Sequence, residues 1–135
     1  MLNVLIVDDE PLLLKVMERL LTRRGYIVQT AVNVPEALKL ARQRTPDILV
    51  TDYNLNAPQN GLDLCRAFAE DATLVKVRRI VISGQANNLK GLGILYDAFL
   101  AKPFTSSEFV QVLERFITGS ATDPDLLARS CNSGR

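Results

Sequence analysis

The chain has 135 residues, 47% of them hydrophobic and 23% charged, and its 16 Lys and Arg against 15 Asp and Glu leave a net charge of +1. That is enough chain for one domain with its own core and too apolar for a disordered one; the near-neutral charge argues against binding nucleic acid or anionic membrane mainly by electrostatics. There is no histidine, which removes Ser-His-Asp and Cys-His catalysis, His-ligated zinc or haem, and a phosphohistidine carried on this chain.

The hydrophobic period switches regularly along the chain. Val4 to Val7 is a short apolar run ending at Asp8-Asp9, the pattern of a buried strand. Pro11 opens a helix with Leu13, Met17, Leu20 and Leu21 on one face, closing at Arg24-Gly25. Tyr26 to Ala31 reads as a second strand. Asn33 and Glu36 form an N-terminal capping pair for a helix with Ala37, Leu38 and Ala41, which stops at Thr45-Pro46. Ile48 to Val50 is a strand leading to Asp52, followed by a polar loop, Asn54 to Asn60. Leu62, Leu64, Cys65 and Phe68 mark a third helix, and Ile80 to Ile82 a strand ending at Ser83-Gly84. From Gln85 to Tyr96, Asn87, Asn88, Gly91 and Gly93 disfavour a long helix. Phe99 to Ala101 is a last strand before Lys102-Pro103. Thr105 and Glu108 cap a final helix bearing Phe109, Leu113, Phe116 and Ile117, which Gly119 ends.

Apolar strands alternating with amphipathic helices imply an α/β fold, a parallel sheet with helices on both faces. Neither an internal repeat nor a second domain is visible. Residues 119–135 form a polar tail in which Leu126, Leu127 and Ala128 could make a short helix. Cys65 and Cys131 cannot form a CxxC site and fit a reducing compartment. The N-terminus reaches acids too soon for a signal peptide, and no apolar run approaches membrane length, so a soluble cytoplasmic domain is expected.

In an open parallel sheet, ligands bind beyond the carboxyl ends of the strands. Asp8 and Asp9 stand there past the first strand, Asp52 past the third, Ser83 past the fourth and Lys102 past the fifth. Singly, each has a structural explanation: a helix cap for Asp8 or Asp9, a turn for Asp52, a strand end for Ser83, a solvated cation for Lys102. Together they make a coherent site. Clustered carboxylates with no histidine or thiol favour a hard cation, Mg²⁺ or Mn²⁺. A carboxylate beside such a cation can attack a phosphoryl group while lysine offsets charge on the transferred oxygens and a serine hydroxyl donates to one of them.

Val7-Asp8-Asp9-Glu10-Pro11, Val50-Thr51-Asp52, Val81-Ile82-Ser83-Gly84 and Leu100-Ala101-Lys102-Pro103-Phe104, in this order and spacing, resemble the receiver domain of two-component response regulators. The likeness covers roughly residues 2 to 118, so residues 1–118 would be the receiver domain and 119–135 a tail or linker. The resemblance implies a five-stranded flavodoxin-like (βα)5 fold of strand order 2-1-3-4-5. It further implies a phosphoryl group accepted on Asp52 from a partner's phosphohistidine, carried by a sensor histidine kinase or a histidine phosphotransfer protein. Asp9 matches the direct metal ligand, Asp8 its neighbour acting largely through water, and the backbone carbonyl of Asn54 the third ligand beside Asp52. Lys102 matches the phosphoryl contact, Ser83 and Phe99 the switch positions, and Lys102-Pro103 a cis peptide. Phosphorylation would bias a surface formed by the fourth helix, the last strand and the last helix.

This sequence departs from the family pattern in three places. The loop from Asp52 to Gly61 is about one residue longer, with its proline further from Asp52; Phe99 lacks the hydroxyl of a tyrosine; and the Asn- and Gly-rich stretch from Gln85 to Gly93 predicts a short or mobile fourth helix. Two rival functions fit less well. A haloacid-dehalogenase-like phosphatase needs an acid two residues after its nucleophile, where this chain has Asn54, and it needs room for a cap. A flavodoxin-like cofactor binder needs a Ser-, Thr- and Gly-rich phosphate loop where this chain has Asp8-Asp9-Glu10-Pro11, which would repel phosphate. The expected role is a phosphoacceptor that assists its own phosphoryl transfer and dephosphorylation and alters partner binding, and not an enzyme acting on a separate metabolite.

Overall fold

The computed structural model describes residues 2–84 and 95–119. They run β1 (Asn3–Val7), α1 (Pro11–Arg23), β2 (Ile27–Ala31), α2 (Val34–Gln43), β3 (Ile48–Asp52), α3 (Gly61–Ala69), β4 (Arg78–Ser83), β5 (Ala98–Ala101) and α4 (Ser106–Gly119). The strands form one parallel sheet in the order β2-β1-β3-β4-β5. The chain steps from β1 to β2, then back across β1 to β3, so the order reverses between β1 and β3. Right-handed crossovers in opposite directions put their helices on opposite faces.

The burial pattern agrees. Leu5, Val7, Leu49 and Val81 pack in one cluster with Ala37 and Ala41 of α2 and Leu64, Cys65 and Phe68 of α3. Alternation along the strands turns Val4, Ile6, Ile48, Val50, Ile80 and Ile82, all buried, to the other face. There α1 presents its buried Leu14, Met17 and Leu21. Each such large side chain contributes roughly 2 kcal/mol by leaving water. The sheet and α1 to α3 belong to one compact unit, Met1–Pro103, and α4 to a second that starts at Phe104.

Local chemistry sets the helix ends. Gly25, at φ +94°, supplies the left-handed residue after α1, and its N–H donates to the Thr22 carbonyl. Asn33 caps α2 by accepting from the Glu36 N–H at 2.9 Å, while Glu36 Oε1 reaches back to the Val32 N–H at 2.8 Å. Thr105 and Glu108 form the expected reciprocal box on α4, at 2.8 and 3.1 Å, and Phe104 stacks on Phe109 with ring centroids 5.8 Å apart. That contact links the residue before the cap to the fourth helical residue, a hydrophobic staple. Phe109 and Leu113 are buried.

Several boundaries and faces differ from expectation. The buried stripe of α1 is Leu14, Met17 and Leu21, with Leu13 and Leu20 at its half-buried margins. Leu12, Leu13 and Leu14 are consecutive, so hydrophobicity alone does not choose among them, and Leu12 ends up 77% exposed. Tyr26 precedes β2, and β4 begins at Arg78, two residues early, because Arg78 and Arg79, though they interrupt the apolar run, pair with Ile48 and Leu49 of β3. Residues 71–77, for which periodicity predicts no element, are turns anchored by Asp71 that deliver Leu74 and Val77 to the core. The expected fourth helix falls on 85–94 and the possible helix at Leu126 to Ala128 in the tail; both lie outside the described residues, and residues 95–97 are not helical.

Candidate functional site

Strand register assembles the site. Ile6 pairs with Val50 and Val7 with Thr51, so one further step sets Asp8 beside Asp52. Asp52 is in turn in register with Ile82, and Ser83 with Ala101. Hydrogen bonds continue past the strand ends: Asp8 N–H to the Ala31 carbonyl at 3.1 Å, Tyr53 N–H to Ile82 at 2.7 Å, and Lys102 N–H to Ser83 at 2.9 Å. Asp8, Asp9, Asp52, Ser83 and Lys102 therefore stand at one edge. One carboxylate oxygen from each of Asp8, Asp9 and Asp52 lies within 4.8 Å of the others. Lys102 Nζ sits 2.9 Å from Asp52 Oδ2, and Lys102-Pro103 is cis.

The structural explanations of these residues hold only in part. The N-cap of α1 is Glu10, which makes no side-chain cap; Asp8 Oδ1 instead accepts from the Glu10 N–H at 2.9 Å. Asp52 does begin a turn, although its Oδ1 lies a long 3.4 Å from the Asn54 N–H. Asn54 is exposed, and its side-chain oxygen accepts from the Asn56 N–H at 3.0 Å. Ser83 is buried at the end of β4. Phe99, read as a switch position in the last strand, lies half-buried inside β5, in register with Val81 and packed against the core.

Electrostatically the edge is unbalanced. At 4.8 Å and an effective dielectric of ~20, each pair of ionised carboxylates repels by roughly 3.5 kcal/mol. Burial pushes Asp8 up from 3.8 to about 6; the Glu10 N–H opposes this, and the charge of Asp52 adds to it. Burial would lower Lys102, but its hydrogen bond to Asp52 and the charges of Asp52, Asp8 and Glu10 outweigh that and hold it above its ordinary value. Among the described residues, one ammonium thus faces three carboxylates. Asp8 Oδ2 is buried with no hydrogen-bond partner among the described residues, an acceptor in want of a positive charge. All-oxygen donors with an orphaned carboxylate oxygen fit a hard divalent cation.

A model of the response regulator receiver domain matches residues 4–114. The chain belongs to that family. Receiver domains of two-component systems are phosphorylated on an aspartate with Mg²⁺, and this one has the acidic cluster such chemistry uses. It is 32% identical over 106 residues to the "Probable transcriptional regulator ycf27" of Guillardia theta, covering 78% of this chain and 41% of that protein. It is 29% identical over 107 residues to the alkaline phosphatase synthesis transcriptional regulatory protein PhoP of Bacillus subtilis, covering 78% and 44%. The chain thus spans less than half the length of these two relatives. The chemotaxis response regulator CheY4 of Vibrio cholerae has the same fold, with a TM-score of 0.79 at 24% identity, covering 85% of this chain and 98% of that one. Among the described residues of this receiver domain, no helix is long and apolar enough to cross a membrane.

Three residues of the site escaped the sequence reading. Gly61 begins α3 against the end of β3: a Cβ there would lie 2.2 Å from the Asp52 carbonyl oxygen. Its signal was a glycine closing a turn-rich loop, which marks close backbone approach only when the partner strand is known. Thr51 Oγ1 donates to the same carbonyl at 3.0 Å. Asn56, at φ 49°, turns its carboxamide to donate to Asp9 Oδ2. Asparagine in a loop does signal left-handed backbone, but not the direction of its side chain.

Proposed function

We propose that this receiver domain accepts a phosphoryl group on Asp52 from a phosphohistidine of a sensor histidine kinase or a histidine phosphotransfer protein, with Mg²⁺ or Mn²⁺ at the acidic cluster. The observation that carries the reading is the unbalanced edge: three carboxylates within 4.8 Å of one another, Lys102 on one of them, and an orphaned oxygen on Asp8. An Asp52 oxygen attacks phosphorus; the P–O bond forms as the P–N bond to imidazole breaks, and its electron pair leaves with the imidazole nitrogen. Asp8, Asp9, Asp52 and the backbone carbonyl of Asn54 are the residues to hold the cation. When bound, it neutralises the carboxylates and the charge on the phosphoryl oxygens. Lys102, already 2.9 Å from Asp52, shifts to a phosphoryl oxygen, and Ser83 donates its hydroxyl to another.

Ser83 and Phe99 then carry the change away from the site. They sit at the end of β4 and within β5, joined by the register Val81 to Phe99 and Ser83 to Ala101. Without a tyrosine hydroxyl, Phe99 signals by packing alone. The output is a changed affinity for a downstream protein, and the domain acts on no separate metabolite. Asn54 leaves no acid where a haloacid-dehalogenase-like phosphatase needs one, and no observation favours that alternative. A cytoplasmic location suits a partner that carries phosphohistidine.

The test is incubation with acetyl phosphate and Mg²⁺, followed by intact-mass measurement. One base-labile phosphoryl group per chain is expected, lost with Asp52→Asn. Equal incorporation by that variant would move the site elsewhere.

A further inference from the structure

We propose that Asn56 is a positioning residue for the divalent cation, holding Asp9 in its metal-binding orientation through the Asn56 Nδ2 to Asp9 Oδ2 hydrogen bond. This rests on the reading of Asp8, Asp9 and Asp52 as a cation site. The two residues are 47 positions apart, so the bond ties the loop after β3 to the loop after β1. The loop is built to aim it. The Asn56 N–H donates to Asn54 Oδ1 at 3.0 Å, and the φ of 49° swings the carboxamide back over the acids. Asparagine is among the few residues other than glycine that adopt this conformation readily.

The result is a pattern shared by all three carboxylates. Asp8 Oδ1 is held by the Glu10 N–H, Asp52 Oδ2 by Lys102 and Asp9 Oδ2 by Asn56. Each acid has one oxygen anchored by the protein and keeps another for a cation. Asp9 is the most exposed of the three, so it has the most rotamer freedom to lose on coordination, and an anchor formed beforehand removes part of that cost. The positive end of the amide N–H also offsets the repulsion among the acids before a cation arrives. Partners of metal-ligating carboxylates commonly contribute 10- to 100-fold in affinity.

Calorimetric Mg²⁺ titration of the whole chain separates the side chain from the backbone. Asn56→Gly keeps the left-handed conformation accessible and deletes the amide; Asn56→Ala deletes both. Both variants should bind Mg²⁺ about tenfold more weakly than the unsubstituted chain, by similar factors, with thermal unfolding in chelator confirming that each is folded. If Asn56→Gly binds as tightly as the unsubstituted chain, the backbone conformation is all that matters and the proposal is overturned. Tighter binding by Asn56→Gly overturns it too, since the amide would then compete with the cation. Asp9→Ala reports on the underlying reading: if it leaves Mg²⁺ binding unchanged, the cation site itself is misassigned and the role of Asn56 falls with it.

Discussion

The two ends of the sheet both carry charge, and they handle it in opposite ways. At the amino edge, Arg79 Nη1 donates to the Cys65 carbonyl at 3.0 Å, and Asp97 Oδ2 accepts from the Arg79 N–H at 2.8 Å. Asp97 also faces the Arg78 guanidinium at 3.7 Å, and Asp47 Oδ2 accepts from the Asn3 N–H at 2.8 Å. A cavity of about 250 Å³ opens there, lined by Val75, Lys76, Val77, Arg78, Arg79 and Asp97, yet its acid already has cationic and backbone partners. Arg79 Nε and Asn3 Oδ1 have no partner among the described residues, but one belongs to a guanidinium bonded elsewhere and the other to a neutral amide. At the carboxyl edge, among the described residues, three acids converge on one lysine, and Asp8 is pushed to about 6. Charge used for folding is matched where it lies; charge left unmatched and buried marks a place where a ligand completes the structure.

The largest expected effect tests how rigidly the carboxyl edge is built. A Cβ on Gly61 would meet the Asp52 carbonyl oxygen at 2.2 Å, its carbon at 3.0 Å and Thr51 Oγ1 at 3.1 Å. The first is far inside contact distance and involves backbone, so either the end of β3 or the start of α3 must move. Gly61→Ala should cost more than about 3 kcal/mol in urea unfolding, at the upper end of overpacking effects, and should slow phosphorylation to the extent that the end of β3, with Asp52, is the side that moves. An unfolding midpoint within error of the parent would mean that the edge yields freely and that Asp52 is not fixed by its contact with Gly61.

Next comes the cost of gathering the acids. Asp8 titrates near 6 in the fold and near 3.8 when exposed. A carboxyl raised in the native state contributes stability below its unfolded value, and that stability is lost as pH rises through the folded value. The metal-free domain should therefore lose about 3 kcal/mol from this group between pH ~4 and above ~6. Asp8→Asn carries no such loss, so in chelator it should be the more stable protein at pH 8 and show little difference near pH 4. Stability curves that run parallel across this range would show Asp8 to be balanced like the acids of the other edge. Saturating Mg²⁺ should narrow or reverse the difference at pH 8, because the variant lacks the charge that the cation rewards.

The residues at the carboxyl edge were legible in sequence because position alone reveals them: Asp8, Asp52, Ser83 and Lys102 each follow an apolar strand, and parallel strands end on the same side. The sheet was legible for the same reason, as Val4 to Val7 and Ile80 to Ile82 have no polar residue to confuse their period. What escaped depends on distances between segments far apart in the chain. Nothing near Gly61 says that Asp52 presses against it, and nothing near Asn56 says that Asp9 lies within reach. The α3 cap escaped for a local reason: Asn60 and Asp63 bond reciprocally at 2.8 and 3.0 Å, but with aspartate where a capping box usually has glutamate or glutamine. The α1 face was blurred by excess, since a helix with leucine at three consecutive positions offers more than one apolar stripe.

The smallest effect concerns the matched edge and has the opposite sign. Arg79→Met keeps most of the buried stem and deletes the hydrogen bond to the Cys65 carbonyl, so the domain should lose about 2 kcal/mol. That loss should hardly vary between pH 5 and 8: burial pushes the neighbouring Cys65 thiol up to about 12, against the opposing pull of Arg79. Mg²⁺ affinity should be unchanged, with the substitution at the far end of β4 from Ser83. Deleting a charge at the amino edge thus weakens the fold, and deleting one at the carboxyl edge strengthens it at neutral pH in the absence of metal. If Arg79→Met instead stabilised the chain, the guanidinium would be a desolvated burden like Asp8, and the amino edge would become a second place to look for a ligand, an anion seated in its cavity.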